Sequence, residues 1–589
     1  MNSKRLNSKR RNNKRRNFRL TFAAAAVLLA GIAFFLVSIL GNLPGARLDL
    51  TRDRMFTMSP AAAEVLKGLQ VPVQVKLYIT PSDKMPTQLR TLERDLTERM
   101  RNFEQVADGM LQFTVYNPQD DEEMQKTLGA KGIRPFQTQS IEKDEMGIKL
   151  IWSAMTIAYK DKPEEVLPQL LPQSLASLEQ DIIGPVYRLT REKAPKVAVF
   201  GPKKEIDRQL AMMYLQQGMQ PPEPQEQFAR LREVLQQEHY EVVPVELTPM
   251  SPVPPDIDLL VVMATTPLNE RQAYEINRAL TSGVPVVMGV QAHEYGYAPA
   301  PGGGWSINGQ DIVTGLEPML AGFGLTVGED HFMDSAMEVI ELPREINLGG
   351  MRMQTREPVR VPFQIRVTES QMNAASPMVN RIGSLFYLWG TPVIADAAKL
   401  SGAGLKATTL MSSSGDCWRQ PWSEGPVTGQ MINPAGQKML GAQPLAVLVE
   451  GTFPDTWAGR AAPAWPGAAD GQPDPGVTPV TPKPGRLMLV GCAKMFDDNL
   501  LGAMQNGLLL MNGVDYLAGS QALLSIRAKM LTERVIKPVD AQTKMFWRLF
   551  TVLVVPALLA AYGIIRAGLR RKEAARYRES LRRAGAEAH

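Results

Sequence analysis

A chain of 589 residues is more than one hydrophobic core ordinarily organises, so two or three folded domains are expected. Its 44% apolar and 21% charged residues are those of a globular protein rather than a disordered one. Residues 1–19 hold nine Lys/Arg and no acid, and residues 566–589 carry +5; because the whole chain is only +5, the body between is −9, which excludes a charge-steered DNA or RNA surface.

Behind the basic tail 1–19, residues 20–40 (LTFAAAAVLLAGIAFFLVSIL) run without a charged side chain. At 1.5 Å per residue such a run crosses a hydrocarbon core of roughly 30 Å. It reads as an anchor rather than a cleaved signal, since Gly41-Asn-Leu-Pro-Gly is a poor cleavage site. A second uncharged run, Leu549 to Ile565, lies beside the basic tail 566–589, and a transmembrane helix is expected over 545–565. Positive flanks on the outer side of both runs put both termini in the cytoplasm. The bulk of the chain then lies on the other face.

Ser59 before Pro60 predicts a capped helix over 60–68. Val73–Thr80 alternates as a half-buried strand, and Leu89, Leu92, Leu96, Met100, Phe103 and Val106 predict an amphipathic helix over 87–107. Strands at 111–116 and 148–159 and a helix at 173–190 complete a small α/β domain over 48–192, loosely like a thioredoxin-type layer. It has no redox pair, because no cysteine precedes Cys417.

From Lys196 the pattern changes. Strands at 196–200, 240–246, 259–264, 284–290 and 487–491 alternate with helices at 225–238, 269–281 and 506–518. Continuous apolar strands of this kind predict a mostly parallel sheet covered on both faces, in a larger α/β domain over 196–520. The last strand is expected to complete the sheet begun at 196. An irregular insertion at 331–445 with short strand candidates at 383–388 and 406–411, a Pro/Gly-rich loop at 461–486 and a membrane-proximal connector at 521–544 fill out the chain.

Chemistry-bearing motifs are sparse. No GxxxxGK[ST] loop occurs, and Gly302–Gly304 lacks a following Lys-Ser/Thr, so any ATP must be hydrolysed by another chain. Cys492, just beyond an apolar strand, is placed as α/β nucleophiles often are, yet its only sequence neighbour of use is Lys494. Burial or pairing with Cys417 is the plainer reading. His293-Glu294 follows a strand at the ligand-binding end of parallel sheets, and His331 and Asp334 stand alone, with no HxxxH or HExxH pair for a metal. Asp497-Asp498-Asn499 and Asp120–Glu123 read as caps or solvated turns. Trp389, Trp418, Trp422, Trp457 and Trp465 are core or the lining of a surface. No catalytic, cofactor or metal residue is assigned.

Five stretches carry a family likeness: residues 48–80 (LDLTRDRMFTMSPAAAEVLKGLQVPVQVKLYIT), 187–201, 257–290, 486–519 and 523–530. In order and with two flanking spans, they resemble the membrane-anchored auxiliary components of ABC transport systems, of the gliding-motility GldG type. That resemblance implies a non-catalytic accessory subunit beside an ABC permease and a separate ATP-binding cassette ATPase, held in a bacterial inner membrane with a periplasmic body. It also implies a body akin to glutamine-amidotransferase-like or flavodoxin-like sheets, which carries no licence for their chemistry. This chain departs from the pattern at Cys492 and Lys494, where relatives tend to have an acid.

Overall fold

The computed structural model describes residues 58–586, apart from 143–144, 192, 205, 207, 301–303, 349–350, 381, 467–479 and 520–540. The expected first span (20–40), the basic tail before it and most of the 521–544 connector lie outside the described residues. The chain divides into two compact units, residues 1–532 and 533–589.

The first sheet begins with α1 (Pro60–Lys67), β1 (Val73–Ile79), α2 (Leu92–Val106) and β2 (Leu111–Tyr116). The Ser59 hydroxyl accepts the Ala62 N–H at 3.1 Å, and Pro60 stands where no N–H is needed. Helix α2 buries Leu92, Leu96, Met100 and Phe103 along one face. Then follow α3 (Glu122–Ala130), β3 (Phe136–Glu142), β4 (Glu145–Ile151), β5 (Ser153–Ala158), β6 (Glu165–Leu167) and α4 (Ser174–Thr190). The sheet order is β2-β1-β5-β6, with β1 and β2 parallel and the others antiparallel.

The single strand expected over 148–159 is two. β4 pairs with β3 in a separate hairpin, and only β5 joins the sheet. The break is at Trp152, whose N–H donates to the Thr80 hydroxyl (2.9 Å) while its carbonyl accepts the Thr80 N–H (3.0 Å). A residue spent on that exchange ends one ladder and starts another.

The large sheet is built from β7 (Lys196–Phe200), β8 (Glu241–Val245), β9 (Leu259–Ala264), β10 (Val286–Val290), and further strands described next, with α5 (Ala229–Gln237) and α6 (Glu270–Thr281) between them. Among the strands outside it are β11 (His293–Pro299), β12 (Trp305–Asp311) and β13 (His331–Asp334). β14 (Leu405–Ser412) returns to it, β15 (Cys417–Gln420) and β16 (Gly425–Pro426) leave again, and β17 (Pro444–Thr452) and β18 (Pro484–Val490) return before α7 (Asn506–Leu517). The order is β8-β7-β9-β10-β18-β17-β14; the first five run parallel, and β17 and β14 are antiparallel additions.

Period-two alternation sorts the core. Val197, Val199, Val261, Met263, Val287, Met488 and Val490 face α5 and α7; Ala198, Phe200, Leu260, Val262, Met288, Leu487 and Leu489 face α6. Both faces are covered, as the apolar runs require. The last strand joins the sheet begun at 196, as expected, and sits inside it, between β10 and β17. The strand candidates at 383–388 and 406–411 within the 331–445 insertion correspond to Ser384–Leu388 and to β14, which is the edge strand of the large sheet. Leu487, Met488, Leu489 and Val490 of β18 are all buried, so the backbone groups there need a partner strand on each side.

In the second unit, α8 (Ala541–Ala586) is one helix of 46 residues containing the 549–565 run. Positions 551, 552, 555 and 557–559 of that run lie outside the described side chains. No helix among the described residues is long and apolar enough to cross a membrane.

Candidate functional site at the carboxyl end of the parallel strands

β9, β10 and β18 end together, and the residues just beyond them are where a parallel sheet offers ligands a crevice. Here the crevice is organised by Gln291, which is buried. Its Nε2 donates to the His293 carbonyl (2.8 Å) and the Trp389 carbonyl (3.0 Å), and its Oε1 accepts the Lys494 N–H at 3.1 Å. One amide thus ties three segments. The Lys494 ammonium lies 3.3 Å from Asp497, 3.7 Å from Glu294 and 5.4 Å from the centre of the Trp389 ring, with Lys204 on the far side of Glu294 at 3.4 Å.

Cys492 lies beneath this cluster and is fully buried. Its thiol donates to the Leu388 carbonyl at 3.2 Å, and burial pushes its pKa up to about 12, the positive Lys494 offsetting little of that. Segment 389–391 is pressed directly onto it. The Thr391 N–H donates to the Gly491 carbonyl at 2.9 Å, and the Tyr387 hydroxyl donates to the Thr391 carbonyl at 2.7 Å. A Cβ on Gly390 would come within 2.6 Å of the Cys492 Cβ, and one on Gly491 within 2.1 Å of the Thr391 oxygen. The place a substrate would take is filled by the protein's own backbone. A thiol held protonated, with no imidazole beside it among the described residues, is not an activated nucleophile. Cys417 is also buried and unpaired, its thiol donating to the Gly441 carbonyl at 3.0 Å.

The other flagged residues separate into two sets. His293 and His331, distant in sequence, come together with ring centres 6.1 Å apart, and Trp422 lies over both. Trp389 and Trp418 belong to the same aromatic module, with Tyr295, Tyr297, Ile307, Met333 and Phe363. Asp334 does not join the histidines; its carboxylate accepts from Ala336 N–H, Ser414 N–H and the Ser414 hydroxyl. Trp457 and Trp465 are elsewhere, the first donating to Glu270 and the second beneath the Arg271 guanidinium.

The acidic runs are structural. Asp121 caps α3, Asp498 accepts the Ala229 and Arg230 N–H groups at the start of α5, and Asp497 accepts from Asn499 and Leu500. Gly302 and Gly303 lie outside the described residues. Among the described residues, no group of three His, Cys, Asp or Glu side chains is placed to hold a metal. Sequence reasoning missed Gln291 and the Lys494–Glu294 pair; the signal available was a polar residue immediately after an all-apolar strand. Nothing in local sequence marks Trp422 as the partner of two histidines.

Residues 194–519 match the family described as an ABC-type uncharacterized transport system, and residues 52–158 match a domain of unknown function. No curated protein matches the chain closely. Among solved structures, the N-terminal domain of mmIFT52 is 9% identical, covering 55% of this chain and 97% of its own, with a TM-score of 0.29. A ThuA-like protein from Bacteroides uniformis ATCC 8492 is 9% identical over 56% of this chain and 94% of its own (TM-score 0.26). The exo-β-1,4-mannosidase Op5Man5 from Opitutaceae bacterium strain TAV5 is 8% identical over 74% and 49% (TM-score 0.20). The family match spans more than half of the sequence, and the chain belongs to that family: it is an auxiliary component of an ABC-type transport system.

Proposed function

From that membership we propose that the chain is a non-catalytic accessory subunit, anchored in a bacterial inner membrane by 20–40 and 545–565, whose body binds substrate or an envelope partner. ATP hydrolysis is supplied by a separate cassette ATPase acting on a permease, and both termini of this chain are cytoplasmic. The observation that carries the reading is the family match over 194–519. The basic tails beside both uncharged runs support the anchoring and its direction. The plug of 389–391 over Cys492 supports a binding role over an enzymatic one. The narrower likeness to gliding-motility components rests on the five stretches quoted above.

The test is purification of the tagged full-length chain from membranes in mild detergent, with partners identified by mass spectrometry. Recovery of a cassette ATPase together with a multi-span permease is the expected result. Recovery of the chain alone, in several detergents, would overturn the accessory reading. An envelope hydrolase using Cys492 makes the opposite forecast for Cys492→Ala, loss of function at normal expression; the accessory reading expects function to persist. A purely structural tether forecasts function after the body is replaced by an inert spacer.

A further inference from the structure

The aromatic module holds two histidines under one lid. The His331 Nε2 accepts the Ser423 N–H at 3.3 Å, so the neutral ring carries its proton on Nδ1, 2.8 Å from the Tyr295 hydroxyl. His293 is inaccessible to solvent, and neither of its ring nitrogens makes an aligned hydrogen bond among the described residues. The Trp422 ring stacks on His293 at 3.9 Å and 4°, and lies 4.4 Å from His331. Gly309 makes the seat: a Cβ there would be 3.0 Å from Trp422 and 3.4 Å from His331. The loop 421–424 that carries Trp422 is otherwise held by the two-residue pairing of β16 with β12.

The charged and titratable groups around the pair are few. From β12, Asp311 approaches the His293 Nδ1 to 3.2 Å. From the turn before β13 come Glu329, through its backbone, and Asp330, which is paired with Arg419 of β15 at 3.4 Å. Tyr295 of β11 is bonded to His331, Asp334 to Ser414, and Glu424 on the loop is exposed; Glu294 beside His293 is engaged by Lys204 and Lys494. Protonating both rings therefore places two cations 6.1 Å apart with Asp311 as the nearest uncommitted carboxylate. It also turns the acceptor facing the Ser423 N–H into a donor.

We propose that His293, His331 and Trp422 form an acid-sensitive latch: protonation of the two imidazoles releases Trp422 and the 421–424 loop, uncovering the ring faces of the module. Burial favours the neutral rings and lowers both pKa values, His293 to about 4, while Asp311 at His293 and Asp330 at His331 pull the other way. The latch is thus closed at neutral pH and opens on acidification.

The readout is tryptophan emission and its quenching by acrylamide in the detergent-purified full-length chain, from pH 7.5 to 3, with Trp422→Phe subtracted. The expected result is a loss of Trp422 emission as imidazolium forms, and at least a twofold rise in its acrylamide quenching over the same range. Both should vanish in the His293→Gln/His331→Gln double variant. Should that variant fold poorly, Asp311→Asn, at a half-exposed position, should move the midpoint down by about half a pH unit or more. Unchanged acrylamide access across the range would overturn the proposal, as would the same opening in the double variant or an unmoved midpoint in Asp311→Asn.

Discussion

Around Cys492 the interior is filled by carbon and by backbone that bonds to itself, whereas beyond the end of the neighbouring strand, around His293 and His331, it is filled by rings whose nitrogens can take up a proton. Both regions are buried, and both sit just past strand ends of the same sheet. Their responses to solvent differ for a chemical reason. A thiol raised to about 12 stays neutral at every ordinary pH, so the stability of its surroundings is a matter of packing alone. A buried imidazole is neutral only above its lowered pKa, so its surroundings hold together conditionally.

The comparison can be broken, or sharpened, by substitution. The largest effect is expected on the flank of the sheet, where Arg271 is buried against Glu275 at 2.7 Å. Arg271→Ala should cost about 3–5 kcal/mol in denaturant unfolding by leaving a buried carboxylate short of its main partner. Gly491→Ala comes next. Its Cβ meets the Thr391 oxygen, and a loss of about 3 kcal/mol, equal at pH 7.5 and pH 5, is expected because the clash is between carbon and a backbone carbonyl, neither of which takes up a proton. A pH-dependent loss at Gly491 would erase the distinction drawn between the regions.

The histidine module makes the complementary forecast. The folded pKa of His293 lies below the ordinary 6.5, so its neutral burial costs nothing above pH 6.5. As pH falls from 6.5 to about 4 the unfolded chain takes up a proton that the closed fold refuses, and stability drops by roughly 3 kcal/mol. Thermal unfolding of His293→Phe should flatten that slope, and a slope unchanged by the substitution would contradict it. Smallest is Ser59→Ala, expected to cost about 1 kcal/mol through the lost α1 cap, with no pH dependence in the same assay.

How much of this was legible in the sequence follows the same division. Leu259–Ala264 was readable to the residue because six consecutive buried apolar side chains admit few other structures. Helix α6, expected over 269–281, forms over Glu270–Thr281, and Asn269 and Gln272 make a capping box at its start. The break at Trp152 was not, since it depends on Thr80, far back in the chain. Nor was the interior place of β18, because apolar runs specify burial on two faces and say nothing of which strands flank them. The histidine pair was the least accessible. His293 and His331 are each unremarkable in their own neighbourhoods, and they meet only because β15 pairs with β13 and turns Trp422 back over them. Cys492, by contrast, stands out in sequence and is inert in space, because what silences it is a segment a hundred residues earlier.

The interior position of β18 also sets an order of events during synthesis. Strands β7 to β10 are complete by residue 290, but the strand that pairs with β10 is not available until residue 490. For those two hundred residues of elongation the growing sheet presents the open, apolar edge of β10, the kind of edge that recruits other strands. The first sheet, closed by residue 190, has no such wait. The nascent large domain therefore spends its most aggregation-prone interval tethered to an already folded neighbour, and its sheet is completed by one late, long-range closure.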